Sequence, residues 1–399
     1  MEGSGAANGR LPDVCTYNLA PVRRLLIVLI LLPVALSAQS RARNVILFVA
    51  DAGGTSTLAA ASLHGYGAPR RLFIQRMPHI GLSDTTTASQ IVSDSAAGMT
   101  AIVTGERTHN GVVAQSAGAV RGKIDGEPLK TILEYAEERG LSTGIITNDS
   151  PAGATPAALY AKANNRSLTA VIFQQLFAPR FGDGVDVVIA GGRGTVAKAL
   201  AEAGLELESL GRDSGRPVLG SLSEIPAGAT RALTLHESGD FDLDSAIDLA
   251  VGMLSRNRRG YFLMVEWDAH TDSIRRGLDR MVALDRAIER RAKLAGRETL
   301  LVFTADHSFD IQLRGGLLGQ PLLEGLEKAE EENPKGPIRI PAVRMDSGHT
   351  GEEVLVAARG PGAERVRGYM ANTDIFRVMM AAYGWPLPKS TPARGKTPP

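Results

Sequence analysis

An α/β fold, with a doubly wound, mostly parallel central sheet and helices on both faces, follows from three observations. Short apolar, β-branched runs recur at residues 44–49, 142–147, 185–190, 261–265, 299–304 and 354–358. Most of their residues are apolar or β-branched, without strict alternation, the pattern of parallel strands buried on both faces. Helix-compatible stretches lie between them, at 129–139, 243–255 and 277–295, which makes a sheet with crossover helices the economical architecture.

Each element has its own local reason. The run 44–49 breaks at Asp51-Ala-Gly-Gly54, where two glycines favour a turn. A helix is expected after Asp94 and Ser95, polar residues of the kind that cap a first turn, because Ala96, Ala97, Met99, Ala101 and Ile102 then favour helix. The acidic stretch 324–333 reads as a solvated helix face. The segment 386–399, rich in Pro, Lys, Arg and Thr, has nothing to bury and reads as a disordered tail.

The chain has 399 residues, of which 44% are hydrophobic and 22% charged, and 44 basic against 43 acidic residues leave a formal charge of +1. No global field recruits nucleic acid or an anionic membrane, so any charge logic is local. Arg23 and Arg24 precede the apolar run 25–36, with small residues at Ala35, Ser37 and Ala38. The run is short and interrupted by proline, which reads as a secretory signal and not as a membrane span. The expected organisation is a leader at 1–38, one catalytic domain at 39–385 and the tail at 386–399, with a periplasmic or secreted product. Cys15, the single cysteine, falls in the leader, so the mature chain forms no disulfide.

In open α/β sheets ligands lie beyond the carboxyl ends of the strands. Here those ends carry Asp51, then the segment from Glu266 through Asp268 and His270 to Asp272, then Asp306-His307. Singly, each is an ordinary turn acid or capping pair. Together, carboxylates converging on one sheet edge repel one another unless cations compensate, and mixed oxygen and imidazole donors suit zinc and magnesium. His349, in a glycine-flanked loop before the last strand, is placed to complete the cluster; His64, His79, His109 and His236 lack such a setting and read as surface or structural.

These residues, with Asp94-Ser95-Ala96, the segment 154–158 leading to Arg166, 304–307 and 349–351, resemble the alkaline phosphatases over residues 44–385. The resemblance implies hydrolysis of phosphate monoesters through a phosphoserine on Ser95, with Arg166 clamping phosphate and Asp94 orienting Arg166 or capping the Ser95 helix. It implies two Zn2+ ions and one Mg2+. Asp51, Asp306 and His307 would hold one zinc beside Ser95; Asp51, Thr155 and Glu266 would hold magnesium; His349 and the 266–272 loop would hold the other zinc. Family members are often dimers, so a homodimer is implied too.

Two departures stand out. The family's usual E-x4-D-x3-H pattern is compressed to Glu266-Trp-Asp268-Ala-His270-Thr-Asp272, which leaves Asp268 as the expected carboxylate with Asp272 as its rival. Gly153 stands where the family commonly carries an acid or histidine, so the surroundings of the magnesium must differ. A phosphodiesterase of the same superfamily is the alternative enzyme, and a non-catalytic secreted metal- or phosphate-binding protein the alternative outside enzymes. Ala97 and Met99 break the setting a sulfatase needs around Ser95.

Overall fold

The computed structural model describes residues 41–334 and 336–388. The leader with Cys15, and residues 389–399 of the tail, lie outside the described residues. In chain order the first strands are β1 (Asn44–Asp51), β2 (His79–Ser83), β3 (Ser142–Thr147), β4 (Val187–Ala190), β5 (Val218–Leu219), β6 (Ala232–Leu235), β7 (Tyr261–Asp268) and β8 (Thr299–Thr304). Short strands β9 (Ser308–Phe309), β10 (Gln312–Leu313), β11 (Ile338–Arg339), β12 (Val343–Met345) and β13 (His349–Thr350) then form two small antiparallel groups. β14 (Val354–Arg359) and β15 (Gly368–Met370) return to the main sheet, whose order is β15-β2-β14-β8-β1-β7-β3-β4-β6-β5.

The central strands β8, β1, β7 and β3 are parallel, as the unbroken apolar runs predict. β14 is not: it runs antiparallel to both β8 and β2, which corrects the expectation that 354–358 is a parallel strand. Between β8 and β14 the described chain carries the short strands β9 to β13 and one helix, Leu326–Glu332. The chain leaves β9, pairs β13 back onto it, and enters β14 directly from that side. Composition could not reveal this, since burial on two faces demands the same residues whichever way a strand runs.

β1 shows why helices cover both faces. Val45, Leu47 and Val49 point into one apolar cluster with the helices Ser95–Thr104, Ile132–Glu138, Ala154–Tyr160 and Asn372–Tyr383. Ile46, Phe48 and Ala50 point into another with the helices Thr55–Tyr66, Leu243–Leu254 and Ile274–Leu294. The 21-residue helix Ile274–Leu294 buries Ile274, Leu278, Met281, Asp285, Ile288 and Ala292 along one stripe. Asp285 is polar within that stripe because its carboxylate accepts from the backbone N–H groups of Phe73 and Ile74. The acidic helix Leu326–Glu332 is mostly exposed, as expected. No helix among the described residues is long and apolar enough to cross a membrane.

Glu137 reports on this core. It is 4% exposed at the end of the helix Ile132–Glu138, where it accepts from the Thr143 hydroxyl and the Gly184 N–H. Burial pushes its carboxyl up from 4.5 to about 7. A raised carboxyl pKa means the contribution to stability is complete below 4.5 and lost as pH rises through about 7. Between those values ionisation costs up to about 1.4 kcal/mol per pH unit. Glu137→Gln should remove that slope: chemical denaturation of parent and variant should show their stability difference moving in favour of the variant from pH 5 to pH 8, and a constant difference would contradict the assignment.

Candidate active site

The parallel register of three strands delivers the acids. In the β1–β7 ladder Val49 stands opposite Glu266 and Asp51 opposite Asp268, while in the β1–β8 ladder Val49 stands opposite Thr304, two residues before Asp306. Just past Asp51 the backbone turns sharply: Ala52 takes the left-handed conformation with φ of 67°, and its N–H meets Asp306 Oδ1 at 3.3 Å. Such a conformation costs a non-glycine residue roughly 1–2 kcal/mol and persists where its surroundings enforce it. Gly54 is required by space, since a Cβ there would lie 2.4 Å from Ser308 Cβ.

Ser95 is the first residue of the helix Ser95–Thr104, every residue of which is buried. Asp94 is its N-cap, and both roles expected of it are visible: Oδ1 accepts from Ala97 N–H at 3.0 Å, while Oδ2 pairs with Arg166 Nη1 at 3.2 Å. Gly98 lets the helix approach, because a Cβ there would lie 2.2 Å from the Asp306 carbonyl. The Ser95 hydroxyl thereby reaches His307 Nε2 at 3.1 Å.

Three imidazoles meet at this point. His307 and His349 stack with centroids 3.8 Å apart, and His270 lies 5.6 and 5.7 Å from them. Each contacts an oxygen acceptor through Nδ1: His307 the Ser308 carbonyl at 3.2 Å, His349 the Ser93 carbonyl at 2.9 Å, His270 the Asp268 carboxylate at 2.8 Å. With Nδ1 donating, each Nε2 keeps a lone pair. Burial drives His307 down to about 4, so it is neutral near pH 7.

The carboxylates behave oppositely. Burial, then the charges of Asp306 and Asp268, raise Asp51 well above its ordinary value, and burial with the charges of Asp51 and Asp149 does the same to Glu266. Asp51 Oδ1 and Glu266 Oε2 are buried without a hydrogen-bond partner among the described residues. Orphaned, mutually repelling oxygens fit divalent cations, and two groups of donor atoms lie close enough to share an ion: Asp51, Asp306 and His307, and His270, His307 and His349. Thr155 Oγ1 lies 3.4 Å from Asp306 Oδ2.

A cleft of about 370 Å³ opens over these groups, lined by Asp51, Ser95, Arg166, Asp268, His270 and His349. The two rival acids differ in position. Asp268 lines the cleft, with Oδ1 on His270 and Oδ2 on Arg280 at 2.6 Å. Asp272 does not line it; it is exposed and accepts from Ser273 N–H. Asn148, Asp149, Arg276 and Arg280 also line the cleft and carried no motif in the sequence. For Asn148 and Asp149 a signal existed, since both directly follow β3 at the same sheet edge as Asp51. The histidines set aside lie elsewhere: His64 pairs with Asp279, His109 with Ser89, and His236 stacks on Phe241.

Comparison with known proteins agrees with this architecture. The family model described as Alkaline phosphatase matches residues 42–216 and 226–340. Streptomycin-6-phosphate phosphatase of Streptomyces griseus is 31% identical, over 95% of this chain and 99% of that protein. The tissue-nonspecific alkaline phosphatase of Gallus gallus is 26% identical, over 83% and 82%. Among solved structures, alkaline phosphatase from the Antarctic bacterium TAB5 superposes with a TM-score of 0.69 at 23% identity, over 87% of this chain and 99% of that one. Thermus thermophilus alkaline phosphatase gives 0.70 at 22%, over 88% and 94%. Matched by the family model over most of its length and by a phosphatase at 31% identity over 95% of it, the chain is an enzyme of the alkaline phosphatase family.

Proposed function

We propose that the enzyme hydrolyses phosphate monoesters through a covalent phosphoserine at Ser95. The observation that carries this reading is the Ser95 hydroxyl on the cleft wall, 3.1 Å from His307 Nε2 and beside Arg166, Asp51 and His349. The relative named for streptomycin 6-phosphate acts on a substrate of the same class, a small alcohol carrying one phosphate.

In this reading Asp51, Asp306 and His307 hold one zinc, Asp268, His270 and His349 hold the other, and Asp51, Thr155 and Glu266 hold magnesium. Donor chemistry supports the division, since imidazole favours zinc and an all-oxygen set favours magnesium. When bound, the ions offset the charge of the carboxylates and of the phosphate, lower the pKa of the serine hydroxyl and of water, and stabilise the departing alkoxide. Asp268 would serve there with Oδ1 already accepting from His270 and Oδ2 from Arg280.

The chain's own groups do the rest. Arg166, kept in place by Asp94, offers its planar fork to two phosphate oxygens and fixes the phosphorus in front of Ser95. The Ser95 helix aims Oγ into the cleft, and its N-terminal N–H groups favour the incoming anion. Oγ bonds to phosphorus as the ester P–O bond breaks, the serine proton is lost and the leaving alkoxide takes one up. Water then attacks the phosphoserine from the opposite side, the P–Oγ bond breaks, Ser95 regains a proton and inorganic phosphate departs. The His307 Nε2 that lies 3.1 Å from the Ser95 hydroxyl is the atom that would hold the zinc, so His307 supplies no acid or base to the reaction. Export to the periplasm or beyond, and assembly as a homodimer, belong to the same reading.

Ser95→Ala should lower kcat on an aryl phosphate by roughly four or more orders of magnitude while elemental analysis finds its zinc unchanged. Robust turnover by that variant would refute covalent catalysis. Arg166→Ala should lower kcat/KM roughly ten- to a hundredfold with metal content intact. Chelation should inactivate the parent, and added Zn2+ with Mg2+ should restore it. Asp268→Ala should reduce bound zinc from about two ions to about one, whereas Asp272→Ala should leave it unaltered; the reverse result would exchange their assignments.

A further inference from the structure

We infer that Asp149 is the carboxylate that completes the oxygen-rich cation site beside Asp51, Thr155 and Glu266, filling the space of the side chain that Gly153 lacks. The inference rests on the metal assignment proposed above and names a residue that neither motif nor spacing singled out. A Cβ built on Gly153 would lie 2.7 Å from Asp149 Oδ2 and 3.4 Å from its Cγ. Glycine is not needed there for its backbone, because φ at Gly153 is −57°, which any residue adopts. It is needed for room: the Asp149 carboxylate and the Ser150 carbonyl, 2.9 Å from the same point, occupy the volume a side chain would take.

Asp149 is held in that position by its backbone. Its N–H donates to Thr147 Oγ1 at 3.0 Å and its carbonyl accepts from Gly191 N–H at 3.0 Å, which anchors it directly after β3. It lines the same cleft as Asp51 and Ser95. Independent of it, Glu266 is 1% exposed with Oε2 unpartnered among the described residues, and the acids whose charge bears on it are Asp51, Asp149 and Asp306. Asp149 adds a further negative charge near Asp51 and Glu266, a repulsion that an ion received by these carboxylates, or its bound water, would offset. Such surrounding groups commonly alter metal affinity ten- to a hundredfold.

The test uses full-length protein stripped of metal and reloaded with Zn2+, then titrated with Mg2+. Bound magnesium is read by equilibrium dialysis with elemental analysis, and thermal unfolding is recorded at each concentration. The parent should bind one Mg2+ per chain and melt higher as it does so. Asp149→Asn, which keeps the shape and removes the charge, should weaken Mg2+ binding at least about tenfold. It should also keep its zinc and, without magnesium, melt no lower than the parent, since one repelling carboxylate is gone. Asp149→Ala should behave alike; loss of affinity in the alanine variant alone would point to packing and overturn the inference. Parental Mg2+ affinity in both variants would overturn it while leaving the proposed magnesium site standing. A parent that binds no Mg2+ would remove that site and the inference together.

Discussion

The feature on which the rest depends is the gathering of ionisable oxygens at one edge of a parallel sheet. Parallel ladders carry no freedom to disperse them: with Val49 opposite both Glu266 and Thr304, the residues after β1, β7 and β8 must emerge side by side. Glu266 and Asp306 are nearly fully enclosed, and two carboxylate oxygens of the group have no donor among the described residues. An unpaired buried charge costs several kcal/mol, so such an edge is unfavourable for the polypeptide alone and favourable once divalent cations occupy it. Stability is given up at the site for charge complementarity to an anionic substrate, and two large apolar clusters on the faces of the sheet bear the cost.

Ser95 is fixed by helix packing, not by a flexible loop. Gly98 brings the Ser95 helix onto the backbone of Asp306, so the serine is packed directly against the Asp306-His307 pair. Asp94 adds a second constraint, since a single carboxylate caps that helix and holds Arg166. Capping the helix and holding Arg166 were alternatives in the sequence, yet the two oxygens of one side chain do both. Position errors on the order of 1 Å are costly in such a site, and this arrangement leaves little slack.

Much of this was legible beforehand because strand ends mark where polar residues must appear. Asp51, Glu266, Asp306 and His307 each follow an unbroken apolar run, and that alone places them at one edge. What stayed hidden has specific causes. The direction of β14 depends on the path through β9 and β13, which no apolar pattern encodes. The positions of Asp268 and Asp272 could not be separated by counting, because they turn on how far β7 extends; it runs to residue 268, which puts Asp268 opposite Asp51 at the cleft and leaves Asp272 exposed. Arg280 reaches the cleft from the second turn of the helix Ile274–Leu294, a placement set by how that helix packs on the sheet.

The histidines show how the neutral fold prepares an acidic site for soft and hard cations at once. His307, His349 and His270 each direct Nδ1 to a fixed oxygen, two of them backbone carbonyls, so ring orientation and tautomer are set by the polypeptide before any ligand arrives. The exception is His270, whose acceptor is the side chain of Asp268, itself tied to Arg280. Two imidazoles are therefore anchored to main chain and the third to a movable network. In a loop shortened from the family's usual spacing, adjustment on cation or substrate binding should concentrate on the His270–Asp268–Arg280 side of the cleft, while the Ser95–His307 side remains as the backbone sets it.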